Sequence, residues 1–282
     1  MTFSTLITAE TLSQHLNDPA WIVIDCRHDL GNPDAGRDAY AQGHIPGAYF
    51  AHLDHDLAGE TIAADGSFRG RHPLPDRASF IATLQRWGID EDTQVVVYDA
   101  HGGTFAARLW WMLRWVGHKA VAVLDGGWQD WLAHELPSTT AIPTATQPDT
   151  LRDRGMLTRQ VDVSEVLYNV EAQRQTLVDA RAPDRYRGEN ETIDPVGGHI
   201  PGARNRFYKD NLNADGRFKN PEQLREEWLK LIDDPAQAIM QCGSGVTACH
   251  NLLALEIAGL YGAALYPGSW SEWCADPKRP IA

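Results

Sequence analysis

Gly43-His44-Ile45-Pro46-Gly47-Ala48 recurs as Gly198-His199-Ile200-Pro201-Gly202-Ala203, 155 residues later. The agreement continues outward on both sides. Upstream, Ile22-Val23-Ile24-Asp25-Cys26-Arg27 corresponds to Thr176-Leu177-Val178-Asp179-Ala180-Arg181. Each is an apolar run closing on Asp and Arg, as a buried parallel strand does. Downstream, Asp65-Gly66-Ser67-Phe68-Arg69 corresponds to Asp215-Gly216-Arg217-Phe218-Lys219, and Asp125-Gly126-Gly127-Trp128 to Pro267-Gly268-Ser269-Trp270. The offset falls from 155 to 142 across these blocks, so the second copy is the shorter. One duplication makes two homologous domains rather than a solenoid array. Within a copy, apolar runs alternate with helical patterns, as in Gln94 to Tyr98, Thr104 to Val116 and Ala120 to Leu124. This alternation predicts an α/β protein, each half a mainly parallel sheet with helices on both faces. Pro137 to Pro148 is rich in Pro and Thr and poor in charge, which reads as a linker. The expected division is a domain over 1–137, a linker over 138–157 and a domain over 158–282.

Composition narrows the function. A chain of 282 residues that is 43% hydrophobic can fill two cores. Its net charge is −13, and no stretch clusters Lys or Arg as a phosphate-backbone footprint requires. Nucleic acid is therefore not an expected partner. Met1 to Asp18 has no basic segment ahead of an apolar core, and no apolar run approaches membrane-spanning length. The expectation is a soluble cytoplasmic protein without a membrane partner. The four cysteines, Cys26, Cys242, Cys249 and Cys274, make a poor disulfide framework, and no CxxC or His/Cys spacing points to zinc. Reduced thiols are expected, with no metal and no cofactor.

The repeated Gly-His-Ile-Pro-Gly-Ala reads as a structural turn, because it stands in both copies while the segment that carries chemistry stands in one. Trp110, Trp111 and Trp115 fall at helical spacing with Leu109, Met112 and Leu113, and read as core. The chemistry is in Cys242-Gly243-Ser244-Gly245-Val246-Thr247, set between the apolar run Ala238-Ile239-Met240 and a helical run from Ala248 to Gly259. A cysteine that ends a strand, followed by two glycines and two hydroxyls and then a helix, describes a loop wrapped around a sulfur. Its N–H groups converge on one point, and the helix N-terminus adds partial positive charge there. The expected occupant is the Cys242 thiolate. The first copy has Asp99-Ala100-His101-Gly102-Gly103-Thr104 in register with this loop. A carboxylate cannot become a persulfide, so the first domain is expected to be silent, with Asp99 accepting loop N–H bonds where the thiolate would sit.

On these features the chain resembles the tandem-domain rhodanese superfamily of sulfurtransferases, and within it the 3-mercaptopyruvate sulfurtransferases. The resemblance spans two repeats, the paired turns, an active cysteine in the second copy alone, and the hexapeptide Cys-Gly-Ser-Gly-Val-Thr. It implies a two-step reaction in which Cys242 takes sulfur from 3-mercaptopyruvate and passes it to a thiol, such as thioredoxin or a small thiol, or to cyanide. The residues Gly243, Gly245, Val246 and Thr247 would hold negative sulfur. It also implies that Ser244 relays protons with a His and an Asp from the first half, matched by His72 and Asp54, with Asp56 two residues from Asp54 as the alternative. Arg185 matches a family arginine that grips the donor carboxylate. The second such arginine has no counterpart: Glu189 to Gly197 holds no Arg or Lys and three acids, Glu189, Glu191 and Asp194. Arg187 and Arg71 are the substitutes on offer. Two other readings stand beside this one: a thiosulfate:cyanide sulfurtransferase working through the same persulfide, and a sulfur-carrier module with little small-molecule turnover. A cysteine phosphatase would need an arginine where Ala248 stands.

Overall fold

The computed structural model describes residues 2–144 and 150–282. Ala145, Thr146, Gln147, Pro148 and Asp149 of the expected linker lie outside the described residues. The chain forms two compact units. The first gathers Met1–Ala58, Pro75–Leu157 and Ala214–Phe218; the second gathers Gly59–Leu74, Thr158–Asn213 and Lys219–Ala282. The units are not continuous in sequence. The two repeated Asp-Gly-X-Phe blocks are exchanged: Asp65–Arg69 packs with the second unit, and Asp215–Phe218 with the first.

Each unit is built on one five-stranded parallel sheet. In the first, β1 (Leu6–Ile7), β2 (Trp21–Asp25), β3 (Tyr49–Phe50), β4 (Gln94–Tyr98) and β5 (Val121–Leu124) lie in the order β1-β5-β4-β2-β3. In the second, β6 (Arg159–Gln160), β7 (Thr176–Asp179), β8 (Arg204–Asn205), β9 (Ala238–Gln241) and β10 (Ala264–Leu265) lie in the order β6-β10-β9-β7-β8. The second order is the first advanced by five, so the duplication read from the sequence is a duplication of topology. The central strands β4 and β9 are buried along their whole length, as strands covered on both faces must be. Trp110, Trp111 and Trp115 are buried on the helix Ala106–Trp115.

The repeated turn is a structural device in both copies. Gly47 (φ 78) and Gly202 (φ 79) follow Pro46 and Pro201, and the N–H of Ala48 and Ala203 closes on the carbonyl of Ile45 and Ile200. That is a type II turn, whose third position asks for glycine. His44 stacks on Tyr40 at 3.8 Å and His199 on Tyr186 at 3.9 Å, each ring bonding that tyrosine's own carbonyl through Nδ1. The Asp-X-Arg strand ends hold the turns in place. Arg27 forks onto Asp25 and bonds the Gly43 carbonyl, lying over Trp128 at 4.7 Å. Arg181 does the same with Asp179, Gly198 and Trp270. These buried, doubly hydrogen-bonded pairs explain why Asp, Arg, Gly-His and Trp are repeated together.

Candidate active site

Cys242 follows β9 directly and precedes the helix Thr247–Ile257, so the loop between them lies at the carboxyl end of the central strand. In open parallel sheets, ligands collect at these ends. The Cys242 side chain is buried, its N–H donates to Ser269 Oγ at 3.1 Å, and its carbonyl accepts the N–H of Trp270. Gly245 is left-handed (φ 75), and a Cβ there would stand 2.3 Å from the Pro267 carbonyl oxygen, so only glycine fits. Cys249 points Sγ at the Gly245 carbonyl, 3.3 Å away, and is buried with the helix.

The loop at Asp99 shows what such a cradle does. Asp99 Oδ1 accepts the N–H groups of His101 (2.7 Å) and Gly103 (3.0 Å), and Oδ2 those of Phe105 (2.7 Å) and Ala106 (2.9 Å). Asp99 thus takes main-chain donors as expected, four of them on one fully buried carboxylate. Position for position, the corresponding residues in the second copy are Ser244, Val246, Ala248 and Cys249. The N–H of Cys249 differs, donating to the Val246 carbonyl at 3.1 Å.

The second unit brings two of the expected residues, His72 and Arg185, and one substitute, Arg71, to this loop. Ser244 Oγ lies 2.7 Å from His72 Nδ1, both side chains buried. His72 arrives on Gly59–Leu74, the exchanged segment. Next to it, Arg71 is seated by its own N–H on Ser271 Oγ (3.1 Å), while the Ser271 N–H donates to the Gly243 carbonyl. A Cβ on Gly243 would stand 2.9 Å from Arg71 Nη2, 3.7 Å from Arg185 Nη2 and 3.8 Å from Arg185 Nη1. Two guanidiniums therefore face the residue after Cys242, and Arg71 rather than Arg187 is the second. Arg187 is paired with Glu189 on the exposed surface. Val246 and Thr247 lead into the helix, so their N–H groups belong to its unpaired first turn.

The acidic segment that lacks an arginine packs against these guanidiniums. Glu191 takes Arg185 through both Nε and Nη2 at 2.8–3.2 Å, and its Oε1 also accepts the N–H groups of Ile193 and Asp194. Burial works against its charge, yet these hydrogen bonds hold its carboxyl below the ordinary value. Asp194 bonds Arg71 Nη1 and lies 3.3 Å from Arg185 Nη2; burial pushes its carboxyl up, against the pull of Arg71 and Arg185.

Asp54 belongs to the first unit. It lies in the first turn of the short helix Leu53–Asp56, its carboxylate 3.9 Å from His52 Nδ1. Asp56 accepts the His52 N–H at 2.8 Å, so it caps the same turn. His28, His52 and Asp54 bring three ligand-type atoms within 4.8 Å of one another, but His52 Nδ1 is committed to the Asp54 N–H at 3.1 Å. Burial and the neighbouring His55 push the His52 ring below its ordinary value. Ser269, Ser271, Glu191 and Asp194 were not read as site residues from the sequence. Only Ser269 had a signal, as a serine in the slot that glycine fills at Gly127.

The two duplicated parallel sheets of this chain belong to rhodanese-like domains. The rhodanese-like domain family matches residues 8–134 and 162–276, and the chain belongs to it. A Pseudomonas aeruginosa protein named "Probable 3-mercaptopyruvate sulfurtransferase" is 44% identical over 285 residues, covering 100% of this chain and 99% of that one. The mouse protein named thiosulfate sulfurtransferase is 36% identical over 276 residues, covering 96% and 90%. Among solved structures, 3-mercaptopyruvate sulfurtransferase from Leishmania major superposes with a TM-score of 0.84 at 29% identity, covering 99% of this chain and 76% of its own. SseA from Escherichia coli gives 0.80 at 29% identity, covering 95% and 100%. Among the described residues, no helix is long and apolar enough to cross a membrane.

Proposed function

We propose that this chain is a sulfurtransferase that moves a sulfur atom from 3-mercaptopyruvate to a thiol, or to cyanide, through a persulfide on Cys242. The Cys242 thiolate attacks the donor sulfur. The C3–S bond breaks, its electron pair stays on carbon as the enolate of pyruvate, and a proton completes pyruvate. The outer sulfur stays on Cys242 until an acceptor thiolate attacks it, the S–S bond breaks and the Cys242 thiolate leaves.

The observation that carries this reading is the pair of loops. Four main-chain donors on Asp99 measure the field such a loop directs at its centre, and Cys242 holds the matching position in the second copy, which supports a negative sulfur there. By that correspondence, the N–H groups of Ser244, Val246 and Ala248 meet negative sulfur in both half-reactions. One aimed donor of this kind is worth about 3 kcal/mol. The Ser244–His72 pair serves as the proton route to the departing carbon. Arg185 and Arg71 supply the two cations for the donor carboxylate, which answers the missing arginine of Glu189–Gly197. The resemblance alone carries Asp54.

We place the reaction in the cytoplasm with a small thiol or a thioredoxin-type dithiol as acceptor. No disulfide joins the four cysteines among the described residues, which fits a reducing compartment. Intact-mass measurement after incubation with 3-mercaptopyruvate tests the proposal: wild type gains the mass of one sulfur at Cys242, and Cys242→Ser gains none. Sulfur transfer surviving in Cys242→Ser defeats it. Thiosulfate is the second reading, favoured by relatives named for that donor. Assays at equal donor concentration separate the two, and a clear thiosulfate preference overturns the first.

A further inference from the structure

We propose that Asp194 sets the charge of the donor this site accepts, by cancelling part of the positive field of Arg71 and Arg185 beside Cys242, so that a monoanionic sulfur donor is favoured over a dianionic one. The inference rests on the persulfide reading of Cys242 and adds to it a residue that selects the donor.

Asp194 lies between the two cations that face Gly243, on Arg71 Nη1 and near Arg185 Nη2. Its side chain is 2% exposed, so its charge is little screened by solvent or salt. It is also fixed from behind: its own N–H is bound by Glu191, which in turn grips Arg185 from the far side. The two arginines therefore reach the loop already matched by two carboxylates. Arg181, which touches Glu191 at 3.4 Å, is balanced by Asp179. The cluster is close to neutral. No described residue takes Arg71 Nη2 or Arg185 Nη1, so these two nitrogens are the donors left at Gly243 to face an incoming anion.

Coulomb energy scales with the product of the charges, so each buried charge beside the donor acts twice as strongly on a dianion as on a monoanion. 3-Mercaptopyruvate with its thiol protonated carries one negative charge, and thiosulfate carries two. A buried carboxylate between the two guanidiniums therefore penalises thiosulfate more, while still leaving a fork for one carboxylate. An acidic segment in place of a second arginine thus serves as a selectivity device.

The test is the ratio of kcat/KM for thiosulfate to kcat/KM for 3-mercaptopyruvate, measured with cyanide as acceptor. Asp194→Asn keeps the shape and an acceptor oxygen but removes the charge, and is expected to raise the ratio about tenfold. Arg71→Gln removes a cation and is expected to lower it about tenfold. A residue that merely held the loop together would depress both donors alike, so the opposite signs are the signature. An unchanged ratio in either folded variant, or a shift of both in one direction, overturns the inference. If Asp194→Asn does not fold, Arg71→Gln decides alone: a lower ratio supports the inference and an unchanged ratio overturns it. Mass measurement of wild type with each donor keeps the two ideas apart. Failure of both donors to load Cys242 defeats the persulfide reading itself, whereas loading with an unmoved ratio defeats only the role of Asp194.

Discussion

The loop at Asp99 and the loop at Cys242 are the same backbone idea with two different occupants. In the first, a carboxylate with two oxygens takes four N–H groups at 2.7–3.0 Å and leaves the cradle satisfied. In the second, a cysteine stands where the aspartate does, the Cys249 N–H turns to the Val246 carbonyl, and Ser269 Oγ accepts the Cys242 N–H. The surroundings diverge as well. The second loop has the Ser244–His72 pair and the two guanidiniums at Gly243, whereas in the first loop Thr104 Oγ1 only closes back on the His101 carbonyl. The cradle by itself is thus a stabilising anion nest. On the proposed reading, reactivity comes from a soft, polarisable sulfur together with proton and charge handling around it.

The harshest way to break this comparison is to give the second loop the occupant of the first. Cys242→Asp removes the nucleophile, so sulfur transfer falls below detection. Because the nest can then be filled by a carboxylate, this variant is expected to unfold at a higher temperature than Cys242→Ala. Calorimetry of the two variants checks it, and an Asp variant no more stable than the Ala variant refutes the equivalence of the nests. Next in size is His72→Asn, which removes the imidazole from Ser244. Proton-transfer groups contribute on the order of 100-fold, so kcat with 3-mercaptopyruvate should fall by about that factor while donor KM moves little. A change confined to KM would make His72 a binding residue instead.

Most of the frame was legible in the sequence because it is written twice. The central strands, the equivalence of the two halves and the structural nature of His44 and His199 follow from matched blocks, since a turn that stands in both copies cannot depend on a cysteine loop found in one; the order of the strands came from the structure. The cysteine loop was legible from its glycines, with Gly245 the position where any side chain would meet Pro267. What the sequence hid was which distant segments pack together. Nothing local in Gly59–Leu74 marks it as packing with the second unit, so the pairing of His72 with Ser244 came from resemblance, and Arg71 stayed one of two options. Asp194 was hidden for a different reason: a run of acids reads as a solvated loop until its guanidinium partners are seen.

A subtler contrast lies behind the loops. Gly127 and Ser269 occupy equivalent places, and both are left-handed, at φ 58 and φ 54. Glycine accepts that conformation freely, whereas serine does so at a cost of roughly 1 kcal/mol. At Gly127 a Cβ would stand 2.3 Å from the Asp99 carbonyl oxygen, so the second loop has shifted to admit the serine, whose Oγ accepts from Cys242 and donates to the Tyr266 carbonyl. Strain kept beside a reactive residue marks a functional position. Ser269→Gly should therefore leave the protein folded and as stable as wild type, relief of strain offsetting the lost hydrogen bond, yet lower kcat about tenfold by loosening the Cys242 main chain. Unchanged turnover would show the hydroxyl to be structural only.

The smallest effect on transfer is expected where the effect on stability is large. Asp99→Ala empties the first nest and leaves four buried N–H groups without their acceptor. At about 1 kcal/mol or more for each unsatisfied donor, softened where water enters, the loss is about 3 kcal/mol. A change of that size lowers an unfolding midpoint by roughly 6–12 °C in a unit of this length. Transfer at a temperature where the variant is folded should stay within a factor of two of wild type, because the first loop holds no group that can carry sulfur. The two readouts separate cleanly: thermal unfolding reports the nest, and turnover at low temperature reports the chemistry. A folded Asp99→Ala protein with turnover reduced by tenfold or more would mean that the silent loop takes part in the reaction, and the division of labour between the two loops would have to be abandoned.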